Sequence, residues 1–171
     1  SIFMKKITTD YLVKSAIIAA LYIAVTLVFQ AVSYGQVQFR ISEIFVLFAF
    51  IDPAYLFGLT LGCAVANLFS PFGLIDVVFG TAATFLALLF IILVRRKMGK
   101  SLKSLFIASL GPVISNGIII GFQLNYMLNL PLIPSIIFVA LGEFAVVSVI
   151  GVFVFKSLIV KEKFIELITI K

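Results

Sequence analysis

Histidine is absent from this sequence, and cysteine occurs once, at Cys63. A lone cysteine excludes an internal disulfide framework. Without histidine, His-based catalysis and most zinc and haem ligand sets are excluded as well. Charge is scarce too. Asp, Glu, Lys and Arg make up 12% of the 171 residues, about half of the roughly 25% usual in soluble domains. Apolar residues fill the chain instead, at 63%, with a mean hydropathy of +1.29. This balance excludes a soluble globular domain and a disordered chain, and leaves a polytopic, all-α membrane protein. The net charge of +6 is then no nucleic-acid signal. Its meaning depends on where the basic residues fall relative to the bilayer.

Ser1-Ile2-Phe3 precedes Met4 and reads as a cloning remnant, so 4–171 is taken as a single transmembrane domain. The first apolar run lacks a small-residue cleavage site and is long enough to span, so no cleavable signal peptide is expected. A membrane helix needs roughly 20 apolar residues, which allows five or six. Span 1 is expected from about Tyr11 to Val32, with Asp10 as N-cap, and span 2 from Phe39 to Ile51, stopped by Asp52-Pro53. Span 3 runs from Ala54 to Leu68 and span 4 from Asp76 to Val94. Span 5 runs from Leu105 to Leu128 and span 6 from Ser135 to Phe155, divided by Asn129–Pro134. Span 2 is short enough to be re-entrant. With six true spans, however, 12 of the 13 Lys and Arg residues lie on one side, all but Arg40. The positive-inside rule therefore favours six helices with both termini cytoplasmic. The alternation of charged and apolar residues from Lys161 to Lys171 reads either as a short interfacial helix or as a frayed tail.

Ionisable groups inside a membrane cost several kcal/mol unless paired or wet, so each is a site hypothesis. Glu143 lies well inside span 6 with no basic neighbour in sequence. Arg40 and Glu43 sit three apart at the outer start of span 2, a spacing that allows them to pair on one face. Asp76 opens span 4, where the helix dipole favours a carboxylate and water is near. Asp52 faces the opposite turn and reads as a cap. Neutral polar groups join the outer set: Gln38, Asn67, and Asn116 and Gln123 on one face of span 5. The aromatics Tyr34, Phe39, Phe72 and Tyr126 lie near the same ends. The other halves of the spans are almost bare of such groups, which points to a dead-end pocket and not a channel.

Two small-residue rows stand at i, i+4, i+8: Ala16, Ala20 and Ala24 in span 1, and Gly58, Gly62 and Ala66 in span 3. Such rows let helices approach closely. The span 3 row reads as internal packing. For span 1, periodicity leaves internal packing and a partner surface both open. Gly99-Lys100-Ser101 resembles the end of a phosphate loop, but the first glycine of that motif would fall at Val94, so the motif fails. No nucleophile–base pair, catalytic carboxylate pair or metal cluster stands out. No catalytic or metal residue is therefore assigned, and an enzyme is not expected.

The run Ser33-Tyr34-Gly35-Gln36-Val37-Gln38-Phe39-Arg40-Ile41-Ser42-Glu43 resembles the Y-G-x-x-Q-F-R-x-S-E signature of the queuosine-precursor transporter (QueT) family. Further matches are Ala66–Gly80 and Leu141-Gly142-Glu143, and the order holds from about Ala16 to Phe155. That family is similar to the substrate-binding S components of energy-coupling factor (ECF) transporters. The resemblance implies six transmembrane helices in a bacterial cytoplasmic membrane. It also implies capture of a 7-deazapurine such as 7-aminomethyl-7-deazaguanine from outside. The implied partners are a transmembrane coupling subunit and two ATPase subunits; they would use the ATP, so no cofactor is expected on the chain itself. Docking through an alanine row in the first helix would assign that role to Ala16, Ala20 and Ala24.

The residue inventory suits such a ligand. Glu43, Asp76 and Glu143 accept N–H donors or face a cationic amine. Arg40, Gln38, Asn67, Asn116 and Gln123 serve its oxygen, and Tyr34, Phe39, Phe72 and Tyr126 offer stacking surfaces. The same set suits other vitamin-like cations. A membrane enzyme acting on lipid is the remaining alternative, though it should carry its charged cluster at the cytoplasmic interface.

Overall fold

The computed structural model describes residues 5–34 and 39–171, and every regular element among them is helical. Helix α1 is Thr9–Val28, the short α2 is Gln30–Ser33, α3 is Ile41–Ile51, and α4 is Pro53–Asn67. Then follow α5 at Leu74–Met98, α6 at Leu102–Leu128, α7 at Leu132–Leu158 and α8 at Glu162–Ile168. Among the described residues, α1, α5, α6 and α7 are long and apolar enough to cross a membrane, and α3 and α4 are shorter apolar helices. The chain is a multi-pass membrane protein.

Local chemistry sets the helix ends. Thr8, and not Asp10, caps α1: its hydroxyl accepts from Tyr11 N at 3.1 Å, while Asp10 sits in the first turn and pairs with Lys14. Helix α1 also ends earlier than its apolar run. Phe29 leaves the helical region at φ −98, ψ 32. Ser33 Oγ then donates to the carbonyls of Thr26 and Phe29, at 3.0 and 2.8 Å, a side-chain bond that competes with helix propagation. Gly73 opens α5 at φ +60, ψ −129, a conformation that essentially requires glycine. Asn129 closes α6 in the left-handed region, as expected of a C-terminal helix stop.

Two helices are irregular where sequence patterning predicts plain α-helix. The first seven residues of α3, Ile41–Leu47, form a 3-10 helix, whose larger rise stretches α3 to roughly 20 Å. In α7, Phe144–Gly151 forms a π-helical segment that begins immediately after Glu143. Such segments are rare and occur often at functional positions.

Glycine contacts fix the packing order. A Cβ on Gly58 would stand 2.9 Å from Ser15 O, and one on Gly62 would stand 3.1 Å from Ala19 Cα. The span 3 row is therefore internal packing, and the constant offset makes α1 and α4 parallel. Helix α3 thus returns the chain to its starting end before α4 begins. The successive pairs α4–α5, α5–α6 and α6–α7 are antiparallel. Asn67 lies over Gly80, Ser115 Oγ donates to Ala83 O at 2.6 Å, and Ser109 meets Ser148 at 2.9 Å.

The C-terminal residues are tied down. Tyr55 OH donates to Ile168 O, and Lys5 Nζ bridges Asp52 and Ile170 O at 2.7 Å each. Asp52 also accepts from Ala54 N and Ile170 N. Lys14 Nζ donates to Thr169 O, and Lys171 N donates to Asp10. Asp52 is the cap the sequence suggests, the tail is not frayed, and both terminal segments meet at one end of the bundle.

Candidate functional site

At the opposite end the interior is polar. Tyr22, on the buried face of α1, donates its hydroxyl to Glu43 Oε1 on α3. Thr26 and Ser42 join the same two helices at 2.5 Å. Glu43 is 1% exposed, and its Oε2 has no partner. Arg40 is buried beside it, but the two do not form the ion pair that their spacing allows. The ion pairs among the described residues are Lys5–Asp52 and Lys14–Asp10. Arg40 stands just before the first helical turn, at φ −79, ψ 94, so the helical spacing that would pair it with Glu43 does not hold there. Its guanidinium lies 5.3 Å from the centre of the Tyr34 ring, and its Nε donates to Ser33 O at 3.4 Å. Tyr34 OH in turn donates to Ala66 O at 2.7 Å. Tyr34 is therefore the seat of Arg40, a cation–π arrangement that orients the charge.

A second group joins α4, α5 and α6. Asp76 is buried, which overturns the expectation that it stands near water; Ser70 Oγ and Gln123 Nε2 both donate to it. Packing of α6 against the start of α5 encloses the carboxylate that the helix dipole alone would leave at the surface. Gln123 Oε1 is left without a partner. Asn67 is fully buried, with Nδ2 directed at Cys63 Sγ at 3.4 Å and Oδ1 unpartnered. Its side chain fits only because position 80 is glycine: a Cβ there would stand 2.4 Å from Asn67 Nδ2.

The third group lies between α6 and α7. Contacts of Gly121 with Ile136, Gly117 with Ala140 and Ser109 with Ser148 bracket Asn116 and Glu143 at a common level. Both are buried; Glu143 Oε2 and Asn116 Nδ2 have no partners. Glu43 and Arg40 are the charged side chains close enough to act on Glu143 electrostatically.

Glu43, Glu143, Asn67 and Gln123 thus hold unpartnered buried acceptors, and Asn116 an unpartnered donor. Each such group costs about 1–3 kcal/mol, so an interior that retains several is suited to a ligand that satisfies them. The excess of acceptors over donors favours a ligand rich in N–H groups and positively charged.

The structure does not assemble the expected aromatic set. Phe39 is 42% exposed and Tyr126 is 86% exposed. Tyr126 lies near the end of α6 with its ring outward, in the manner of an interface anchor. Phe72 is half-buried in the α4–α5 turn, where its N–H donates to Ser70 Oγ at 3.2 Å. Gln38 lies outside the described residues. Sequence reasoning missed Tyr22 and Ser70. A tyrosine in the middle of a span, away from the interface belts, was the available signal for Tyr22. Ala16, Ala20 and Ala24 are all exposed, on the side of α1 away from its buried residues Ser15, Ile18, Ala19 and Tyr22.

The family model described as QueT transporter matches residues 12–159, a span that holds every residue of this polar interior. The chain is also similar to the queuosine precursor transporter QueT of Lactococcus lactis subsp. cremoris (strain MG1363). The two are 35% identical over 164 residues, covering 91% of this chain and 95% of that protein. No solved structure matches. The sequence signature, the all-helical apolar architecture and these two matches agree: the chain belongs to the QueT transporter family, a family of transporters and not of enzymes.

Proposed function

We propose that this protein is the substrate-binding S component of an ECF importer that captures a queuosine precursor from outside. The substrate on this reading is 7-aminomethyl-7-deazaguanine or a close 7-deazapurine. The name of the Lactococcus relative supports the substrate class. The observation that carries the reading is the pair of buried carboxylates, Glu43 and Glu143, each with an unpartnered oxygen. A guanine-type edge supplies the N–H donors that one carboxylate accepts. The cationic aminomethyl group supplies the counter-charge for another. Asn116 Nδ2 is the donor available to the ring oxygen. Binding then relieves buried polar groups from several helices at once, which draws the outer ends of the bundle together around the ligand.

Six spans with cytoplasmic termini, in the bacterial cytoplasmic membrane, follow on the same reading. The parallel packing of α1 and α4, the meeting of the terminal segments, and the 12 basic residues other than Arg40 support it. Ala16, Ala20 and Ala24 form the docking face for the transmembrane coupling subunit, and two ATPase subunits supply the energy. An S component for another vitamin-like cation or base is the nearest rival.

Mass spectrometry of the ligand that copurifies with the detergent-solubilised protein tests the proposal, followed by calorimetry with the pure compound. A bound 7-deazapurine is expected. A thiamine-like or other unrelated ligand, with no heat from 7-aminomethyl-7-deazaguanine, would overturn it.

A further inference from the structure

A second site lies at the opposite end of the bundle, where the terminal segments meet. Between α3 and the last turn of α5 is a cavity of about 220 Å³, lined by Ala49, Phe50, Pro53, Ile92, Arg95 and Arg96, with Ile51 beside them. Its floor is apolar and its charged groups are two guanidiniums. Arg95 lies 5.6 Å from the centre of the Phe50 ring, which orients the charge over the cavity floor. Neither arginine forms an ion pair among the described residues. Asp52, the acid between the lining residues Ile51 and Pro53, is already engaged by Lys5 Nζ, Ala54 N and Ile170 N. A smaller adjoining cavity, which shares Phe50, Ile51 and Arg95, adds Lys100. Beyond it, Glu162 and Glu166 line the next hollow and confine an anion to the arginine end.

The level of this cavity matters. Helix α5 is strongly apolar until its last turn, which carries Arg95, Arg96 and Lys97. The guanidiniums therefore stand at the membrane–water boundary, with the apolar floor on the hydrocarbon side. Basic residues in a last helical turn also complement the helix dipole, but that role requires no cavity. We propose that this is a binding site for an anionic phospholipid: Arg95 and Arg96 hold the phosphate, and an acyl chain lies against Ile51 and Pro53, the half-buried apolar residues of the lining. Arginine forks suit phosphate oxygens in bidentate geometry, and basic pockets between membrane helices select anionic headgroups. The inference is independent of the substrate reading, because the site lies at the other end of the molecule.

Native mass spectrometry of the detergent-solubilised protein, titrated with phosphatidylglycerol or phosphatidylcholine, tests it. Wild type should retain one phosphatidylglycerol at least fivefold better than phosphatidylcholine. Arg95→Gln/Arg96→Gln should abolish that preference, whereas Lys97→Gln/Lys103→Gln should keep it. Arg96→Gln alone, at an exposed side chain, should weaken retention and serves if the double variant does not fold. Equal retention of the two lipids, or equal loss in both double variants, would overturn the proposal. Displacement of phosphatidylglycerol by millimolar inorganic phosphate would overturn it too, by making the site one for free anions.

Discussion

Tyr22 on α1 donates its hydroxyl to Glu43 on α3, and both side chains are buried. This bond fixes one oxygen of Glu43 and leaves Oε2 unpartnered. Tyr22→Phe removes the donor and keeps the ring. It should weaken binding of 7-aminomethyl-7-deazaguanine by about 1–3 kcal/mol, roughly 5- to 150-fold. Calorimetry on the purified variant measures this. Unchanged affinity would separate Tyr22 from the ligand site.

Glu143→Gln preserves shape and replaces one acceptor with a donor. The expected cost is about 2–4 kcal/mol, or roughly 30- to 1000-fold in affinity. Comparison with 7-cyano-7-deazaguanine, which lacks the cationic amine, assigns its partner. Equal weakening of both ligands means that Glu143 reads the base edge, and selective weakening means that it pairs with the amine. Because Asp76 is enclosed and accepts from Ser70 and Gln123, Asp76→Asn should also lower thermal stability. Affinities unmoved by Glu143→Gln would make that carboxylate structural.

Two glycine substitutions should behave differently. At Gly80 an added Cβ meets the end of the Asn67 side chain, and at Gly58 it meets the backbone oxygen of Ser15. Gly58→Ala should destabilise by about 1–3 kcal/mol, because helices must separate. Gly80→Ala should displace Asn67 and weaken ligand binding with a smaller loss of melting temperature. The reverse ranking of the two melting temperatures would contradict the packing described.

Ala20→Phe places a large ring on the exposed side of α1. If that face docks on a coupling subunit, uptake by cells should fail while the isolated protein keeps its ligand affinity. Loss of binding with assembly intact would point to internal packing instead.

Topology is open to thiol labelling. The single native cysteine, Cys63, is buried, so an impermeant reagent should report only on introduced thiols. Phe72→Cys should label from outside the cell and Met98→Cys should not. The opposite pattern would reverse the orientation.

Composition alone determined that this chain lives in a membrane, since too few charges remain to solvate a surface. The all-helical class and the approximate limits of the long apolar helices were also legible, because apolar runs and Gly, Pro, Asn and Asp stops are local signals. So was Glu143, as an ionisable group in an apolar run is visible wherever it lies. What the chain could not reveal were relations between helices. The Arg40–Glu43 spacing suggested a pair, but the turn before α3 sends Arg40 onto Tyr34 instead. Asp76 was expected near water at the start of its span, but α6 brings Gln123 to it and encloses it. The alanine row of α1 stayed open between internal packing and an outer face; packing put Gly58 and Gly62 against α1 and left Ala16, Ala20 and Ala24 facing outward. The physical reason is common to all three. Hydropathy and spacing describe one helix at a time, whereas burial and hydrogen-bond partnership depend on which helix lies alongside.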